Sequence, residues 1–130
     1  MTTKRILLID DDPAFTKFLS AYIADNFPLL QVDICNNPMS GLHSIKSGHY
    51  DLMLIDLEMP SMDGLKLLKF AVDSGMDKNR IVILSGRDAD FLHSICPMGT
   101  CLAVLNKFEV RQKSVLDMVF NSLHRKAGGA

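Results

Sequence analysis

No apolar run in this 130-residue chain approaches the roughly eighteen residues needed to cross a bilayer. The amino-terminal MTTKRILLIDDD turns acidic directly after its apolar run, which does not fit a secretory signal. Neither sign of charge is in excess: 14 Lys and Arg stand against 15 Asp and Glu, so the balance offers no case for nucleic acid or membrane binding. Cys35, Cys96 and Cys101 are odd in number and lack C-x-x-C spacing, which argues against disulfides or a zinc site and for reduced, buried thiols. His43, His49, His93 and His124 are scattered without ligand spacing, and there is no internal repeat or low-complexity tract. What remains is a cytoplasmic globular protein, of a length that suits one domain.

What is present is an alternation of short apolar runs and helical patterns. Lys4 to Ile9 reads as a strand running into three acids, Asp10, Asp11 and Asp12. Asp12 and Pro13 then open a helix bearing Phe15, Phe18, Leu19, Tyr22 and Ile23 and ending near Phe27-Pro28. Leu29 to Cys35 is a strand, and Asn37-Pro38 begins a second helix that Gly48 closes. Leu52 to Ile55 is continuous, apolar and short, the pattern of a strand buried on both faces, and it delivers Asp56 to the loop LEMPSMDG. Asp63 caps a third helix closed by Gly75, and Arg80 to Leu84 is a fourth strand running into Ser85-Gly86. A short helix spans Asp88 to Ile95, Cys101 to Leu105 is a fifth strand followed by Asn106 and Lys107, and Leu116, Val119, Phe120 and Leu123 mark a last helix. Residues 1–125 form the domain and 126–130, KAGGA, a flexible tail. Five strands alternating with five helices predict an α/β fold, a doubly wound parallel sheet with helices on both faces.

In such a sheet the residues just past the carboxyl ends of the strands gather along one edge, here Asp10 to Asp12, Asp56, Glu58, Ser85 and Lys107. Carboxylates about 5 Å apart repel by roughly 3 kcal/mol per pair at an effective dielectric near 20, so the cluster calls for a cation. All-oxygen ligands point to Mg²⁺, or Mn²⁺ in its place. With Lys107 as a second positive charge and Ser85 as a hydroxyl donor, the set suits phosphoryl transfer to a carboxylate.

In order and spacing, the segments ILLIDD, IDLEMPSMDG, ILSG and LNK resemble the motifs of the receiver domain of two-component response regulators, a resemblance that runs from Lys4 to about Leu123. It implies a flavodoxin-like (βα)5 fold with strand order 2-1-3-4-5. It implies Asp56 as phosphoacceptor, Asp10 and Asp11 with Asp56 and the Glu58 backbone carbonyl around Mg²⁺, Ser85 as the hydroxyl that follows the phosphoryl group, and Lys107 as its ionic partner. A sensor histidine kinase or a histidine phosphotransfer protein is the implied donor. The function expected is a phosphoacceptor that signals by docking to another protein, not an enzyme beyond its own phosphorylation and dephosphorylation.

Two positions depart from the pattern. Phe108 stands where the family has a proline after the lysine, and Val104 where it commonly has an aromatic that swings inward on phosphorylation. Glu58 and Arg87, two residues past Asp56 and Ser85, are opposite in charge and are expected to pair across the site and slow hydrolysis of the acyl phosphate. The competing readings are a receiver-like interaction module whose phosphorylation is weak or unused, and a flavodoxin-like cofactor binder or phosphohydrolase. The three acids after the first strand argue against the FMN phosphate.

Overall fold

Period-two alternation along the central strands sends side chains to opposite faces of one sheet, and each face has its own core. Leu7, Ile9, Met53, Ile55, Ile81 and Ile83 belong to one cluster, and Ile6, Leu8, Leu52, Leu54, Val82 and Leu84 to the other. The structure, a computed structural model, describes residues 2–60 and 62–129. The strands are β1 Lys4–Ile9, β2 Leu30–Cys35, β3 Leu52–Asp56, β4 Ile81–Ser85 and β5 Ala103–Asn106, all parallel and in the spatial order 2-1-3-4-5. Helices α1 Pro13–Asn26 and α5 Val110–Lys126 cover the second cluster through Leu19, Ile23, Leu116 and Phe120. Helices α2 Pro38–Ser47, α3 Gly64–Asp73 and α4 Ala89–Ile95 cover the first through Ile45, Leu67, Ala71 and Leu92. The predicted doubly wound α/β fold and its strand order are what is found.

Local chemistry sets the helix starts. Asp12, Asn37, Asp63 and Asp88 each accept a backbone N–H of the first turn of α1, α2, α3 and α4. Pro13 and Pro38 occupy the first turns of α1 and α2, where a missing N–H leaves no bond unmade. Among the described residues, no helix is long and apolar enough to cross a membrane.

Boundaries differ from the sequence reading by a residue or two in several places: β2 starts at Leu30 rather than Leu29, and β3 takes in Asp56. Arg80 lies in a 3₁₀ turn, Lys78–Arg80, so β4 starts one residue later and takes in Ser85. Cys101 and Leu102 precede β5, which instead extends to Asn106. Helix α5 runs on to Lys126, and its cap brings in Ala127, buried, and Gly129, whose N–H donates to the His124 carbonyl at 2.9 Å. Beside that 3₁₀ turn, a further element was not predicted: a short hairpin pairs Glu58–Met59 with Met62–Asp63 directly after β3.

Candidate functional site

Four of the five strands end in the same local device. Asp10 Oδ1 accepts the Asp12 N–H at 3.0 Å, Asp56 Oδ1 the Glu58 N–H at 3.2 Å, Ser85 Oγ the Arg87 N–H at 3.0 Å, and Asn106 Oδ1 the Phe108 N–H at 2.7 Å. In each case a short polar side chain bonds the backbone two residues on, turning the chain at the carboxyl end of β1, β3, β4 or β5 while fixing the side chain's own direction. The device therefore both ends the strands and aims the site residues.

The carboxylates of Asp10, Asp11 and Asp56 each place an oxygen within 4.8 Å of the others. Asp10 is fully buried and Asp56 is 3% exposed, whereas Asp11 reaches solvent. The Lys107 ammonium lies 2.5 Å from Asp10 Oδ2 and 3.5 Å from Asp56 Oδ1, and 4.9 Å above the ring of Phe15. The Lys107 ammonium is the one partner of Asp10 Oδ2 among the described residues, so this buried carboxylate oxygen depends on a single cation that it shares with Asp56. Burial, with the neighbouring Asp10 charge second, pushes the Asp56 carboxyl up to about 7, against the opposing pull of Lys107 and the Glu58 N–H. One ammonium is thus too little positive charge for three clustered carboxylates, and an oxygen-seeking divalent cation fits what is left over.

Ser85, fully buried at the end of β4, donates from Oγ to Glu58 Oε1 at 2.6 Å. Arg87 Nη1 lies 3.9 Å from Glu58 Oε2, with its guanidinium 3.8 Å above the Phe91 ring. Val104, half-buried in β5 and paired with Ile83, packs on the first core and brings no ring to the site. Phe108 is 73% exposed, and its peptide bond to Lys107 is trans.

Two positions carry parts of the site that the sequence reading did not assign. Asn106 Nδ2 donates to the Arg87 carbonyl at 2.8 Å while its Oδ1 takes the N–H groups of Phe108 and Glu109, and the Lys107 N–H donates to the Ser85 carbonyl. The β4 and β5 loops are thereby tied together around Lys107. The signal was an Asn directly after a strand, a residue type that turns the backbone with its own side chain. Gly64, at the start of α3, donates its N–H to the Leu57 carbonyl, and a Cβ there would run into the Asp56 carbonyl and stand 2.7 Å from Leu57 Cα. Only glycine lets α3 start so close behind Asp56.

A family model described as the response regulator receiver domain matches residues 6–113. Among curated proteins, a probable C4-dicarboxylate response regulator, DctR, of Priestia megaterium is 26% identical over 113 residues, which are 86% of this chain and 50% of that protein. The regulatory protein AtoC of Escherichia coli is 38% identical over 66 residues, 50% of this chain and 14% of its own length. The chain thus spans half or less of the length of these curated relatives. Among solved structures, the response regulator TrrA of Thermotoga maritima, in complex with Mg²⁺ and BeF, superposes with a TM-score of 0.77 at 22% identity, over 93% of this chain and 99% of that one. The receiver domain of a Pseudomonas aeruginosa sensor histidine kinase, with magnesium coordinated in its active-site cleft, gives 0.76 at 18% identity over 95% and 98%. At those identities the superpositions speak to the fold.

Proposed function

The chain belongs to the response regulator receiver family, and from that premise we propose that Asp56 accepts a phosphoryl group from a sensor histidine kinase or a histidine phosphotransfer protein. The observation that carries this reading is the setting of the Asp56 carboxylate: buried, crowded by Asp10 and Asp11, and 3.5 Å from the Lys107 ammonium. In the transfer a carboxylate oxygen of Asp56 attacks phosphorus. A P–O bond forms as the P–N bond to the donor imidazole breaks, and the electron pair stays on the imidazole nitrogen. Lys107 neutralises charge on a phosphoryl oxygen and Ser85 donates a hydrogen bond to another.

Asp10, Asp11 and Asp56, with the Glu58 backbone carbonyl, would hold Mg²⁺, or Mn²⁺ in its place. Bound there, the ion supplies charge neutralisation for the phosphoryl oxygens. Three clustered carboxylates with one shared ammonium between them and the raised Asp56 carboxyl support that fit. Glu58 and Arg87 flank the approach to the acceptor, and as a pair they slow hydrolysis of the acyl phosphate; an unchanged phosphoprotein lifetime after replacing both with Ala overturns this.

Receiver domains are signalling domains rather than classical enzymes. In this reading the domain works in the cytoplasm and signals by docking to another protein, and it contacts neither nucleic acid nor membrane itself. The test is phosphotransfer from candidate kinases with Mg²⁺, compared with Asp56→Asn. The reading expects a Mg²⁺-dependent label that hydroxylamine removes and that Asp56→Asn abolishes. No label from any donor would leave the second reading, an interaction module with weak or unused phosphorylation, for which Val104 in place of an aromatic ring is the favouring observation.

A further inference from the structure

At the opposite pole of the sheet from the acidic cluster, where Lys4, Leu52, Arg80 and Leu102 mark the amino ends of β1, β3, β4 and β5, a cleft of about 370 Å³ opens between the sheet and α5. Its lining is mostly apolar, with Leu52, Leu102, Val119 and Leu123 beside the polar Asn79 and Ser122, and Leu102 and Met118 remain 43% and 72% exposed at its mouth. Its rim holds three cations, Lys4, Arg80 and Lys126, against one carboxylate, Asp51. That carboxylate is already engaged: Oδ2 accepts the Arg5 N–H at 2.9 Å and Oδ1 faces Lys4 at 3.9 Å. Among the described residues Arg80 and Lys126 make no ion pair.

We propose that this cleft binds a small organic anion with an apolar body, an alkyl or aryl carboxylate, its head at Arg80 and its tail along Val119 and Leu123. The volume lies in the range of single small-molecule sites, and a concave lining suits one compact ligand better than a helix or strand laid across a surface. The apolar wall disfavours a polyphosphate or nucleotide, which would leave most of it uncovered. The surplus of positive charge disfavours a neutral or cationic amphiphile. Arg80 is the main head contact, since its planar fork matches a carboxylate. Lys126 sits where the last carbonyls of α5 oppose an anion, and so contributes less. Nothing in this site depends on Asp56.

The test is a titration of the full chain with octanoate, followed by backbone amide shifts in NMR. Saturable shifts confined to residues around the cleft are expected, with binding weakened at least fivefold by Arg80→Gln and about threefold by Lys126→Gln, and with 1-octanol far weaker than octanoate. Both substitutions are at the rim and leave the thermal melt unchanged, so loss of binding is not loss of fold. The proposal is overturned by shifts that do not saturate or that spread away from the cleft, by equal binding of 1-octanol, or by an Arg80→Gln variant that binds as the parent does.

Discussion

Ser85 Oγ donates to Glu58 Oε1 at 2.6 Å, so the hydroxyl proposed to follow the phosphoryl group is already engaged by the side chain two residues past the acceptor. Occupying Asp56 then exchanges one charge-assisted hydrogen bond for another instead of adding one. The two loops after β3 and β4 are thus joined, and on the proposed function the join has to open for Ser85 to turn toward a phosphoryl group on Asp56.

Releasing that bond should therefore favour the phosphorylated form. With the Glu58 side chain 45% exposed, the bond is worth on the order of 1 kcal/mol, so Glu58→Ala is expected to bind the phosphoryl analogue beryllofluoride about fivefold more tightly. Removing a negative charge acts in the same direction, and a double-mutant cycle separates the two. If the full gain persists in a Ser85→Ala background, it comes from charge alone and the latch is rejected.

The raised Asp56 carboxyl has a consequence for stability. Its folded-state value of about 7 lies above the ordinary 3.8, so between these the folded protein holds a proton that the unfolded chain has released. Unfolded chains then bind fewer protons, and metal-free stability falls as pH rises from about 4 to about 7 and levels off above. Asp56→Asn removes this dependence. Its advantage in thermal melts should grow across that window to roughly 2–4 kcal/mol; a constant offset at all pH values would show that burial and the Asp10 charge do not raise the Asp56 carboxyl.

Divalent cations should reverse the same strain. At pH 8, Mg²⁺ at a hundred times its dissociation constant stabilises the fold by about 2.7 kcal/mol, as the linkage relation requires of any ligand confined to the native state. At pH 5.5 the shift in melting temperature shrinks because Asp56 is then protonated. Asp10→Asn abolishes it at either pH, and a Mg²⁺ shift that survives that change places the ion elsewhere.

Most of the fold was legible because its signals are local and redundant. Leu52 to Asp56 and Ile81 to Ser85 are buried along their whole length, and continuous apolar runs read the same from sequence as from structure. Asp10, Asp56, Ser85 and Lys107 could be brought together on paper because parallel strands must deliver their ends to one edge. The Glu58–Met59 hairpin could not, since two-residue strands carry no periodicity. Nor could the Glu58 to Ser85 bond, whose partners are 27 residues apart and are joined only by the pairing of β3 with β4.

The loop after β5 gives a sharper case, because Phe108 looks like a defect in the family pattern. Its N–H donates to Asn106 Oδ1 at 2.7 Å, a bond that proline could not make. Phe108→Pro, which restores the family's usual residue, is therefore expected to destabilise this chain by about 1 kcal/mol in chemical denaturation. Asn106→Ala, which also frees the Arg87 carbonyl, should lose about 2 kcal/mol and slow phosphotransfer by loosening Lys107. A Phe108→Pro protein as stable as the parent would show that the loop does not depend on this turn.

Gly64 tests whether the position of Asp56 depends on backbone contact as well as on charge. Its N–H reaches the Leu57 carbonyl at 2.9 Å, and the first turn of α3 comes so close behind β3 that an added methyl meets the Asp56 carbonyl and Leu57 Cα, both backbone. Neither can turn aside as a flexible side chain would, so either α3 moves out or the Asp56 peptide moves into the site. Gly64→Ala is otherwise a favourable change in a helix, by about 1 kcal/mol. A net loss of roughly 3 kcal/mol or more in denaturant unfolding, with phosphotransfer reduced at least tenfold, would separate the steric effect from the propensity that opposes it. Gly75, which has φ near +107° and open space around a Cβ, supplies the control. Gly75→Ala should destabilise through backbone strain alone, by about 1 kcal/mol, and leave phosphotransfer untouched.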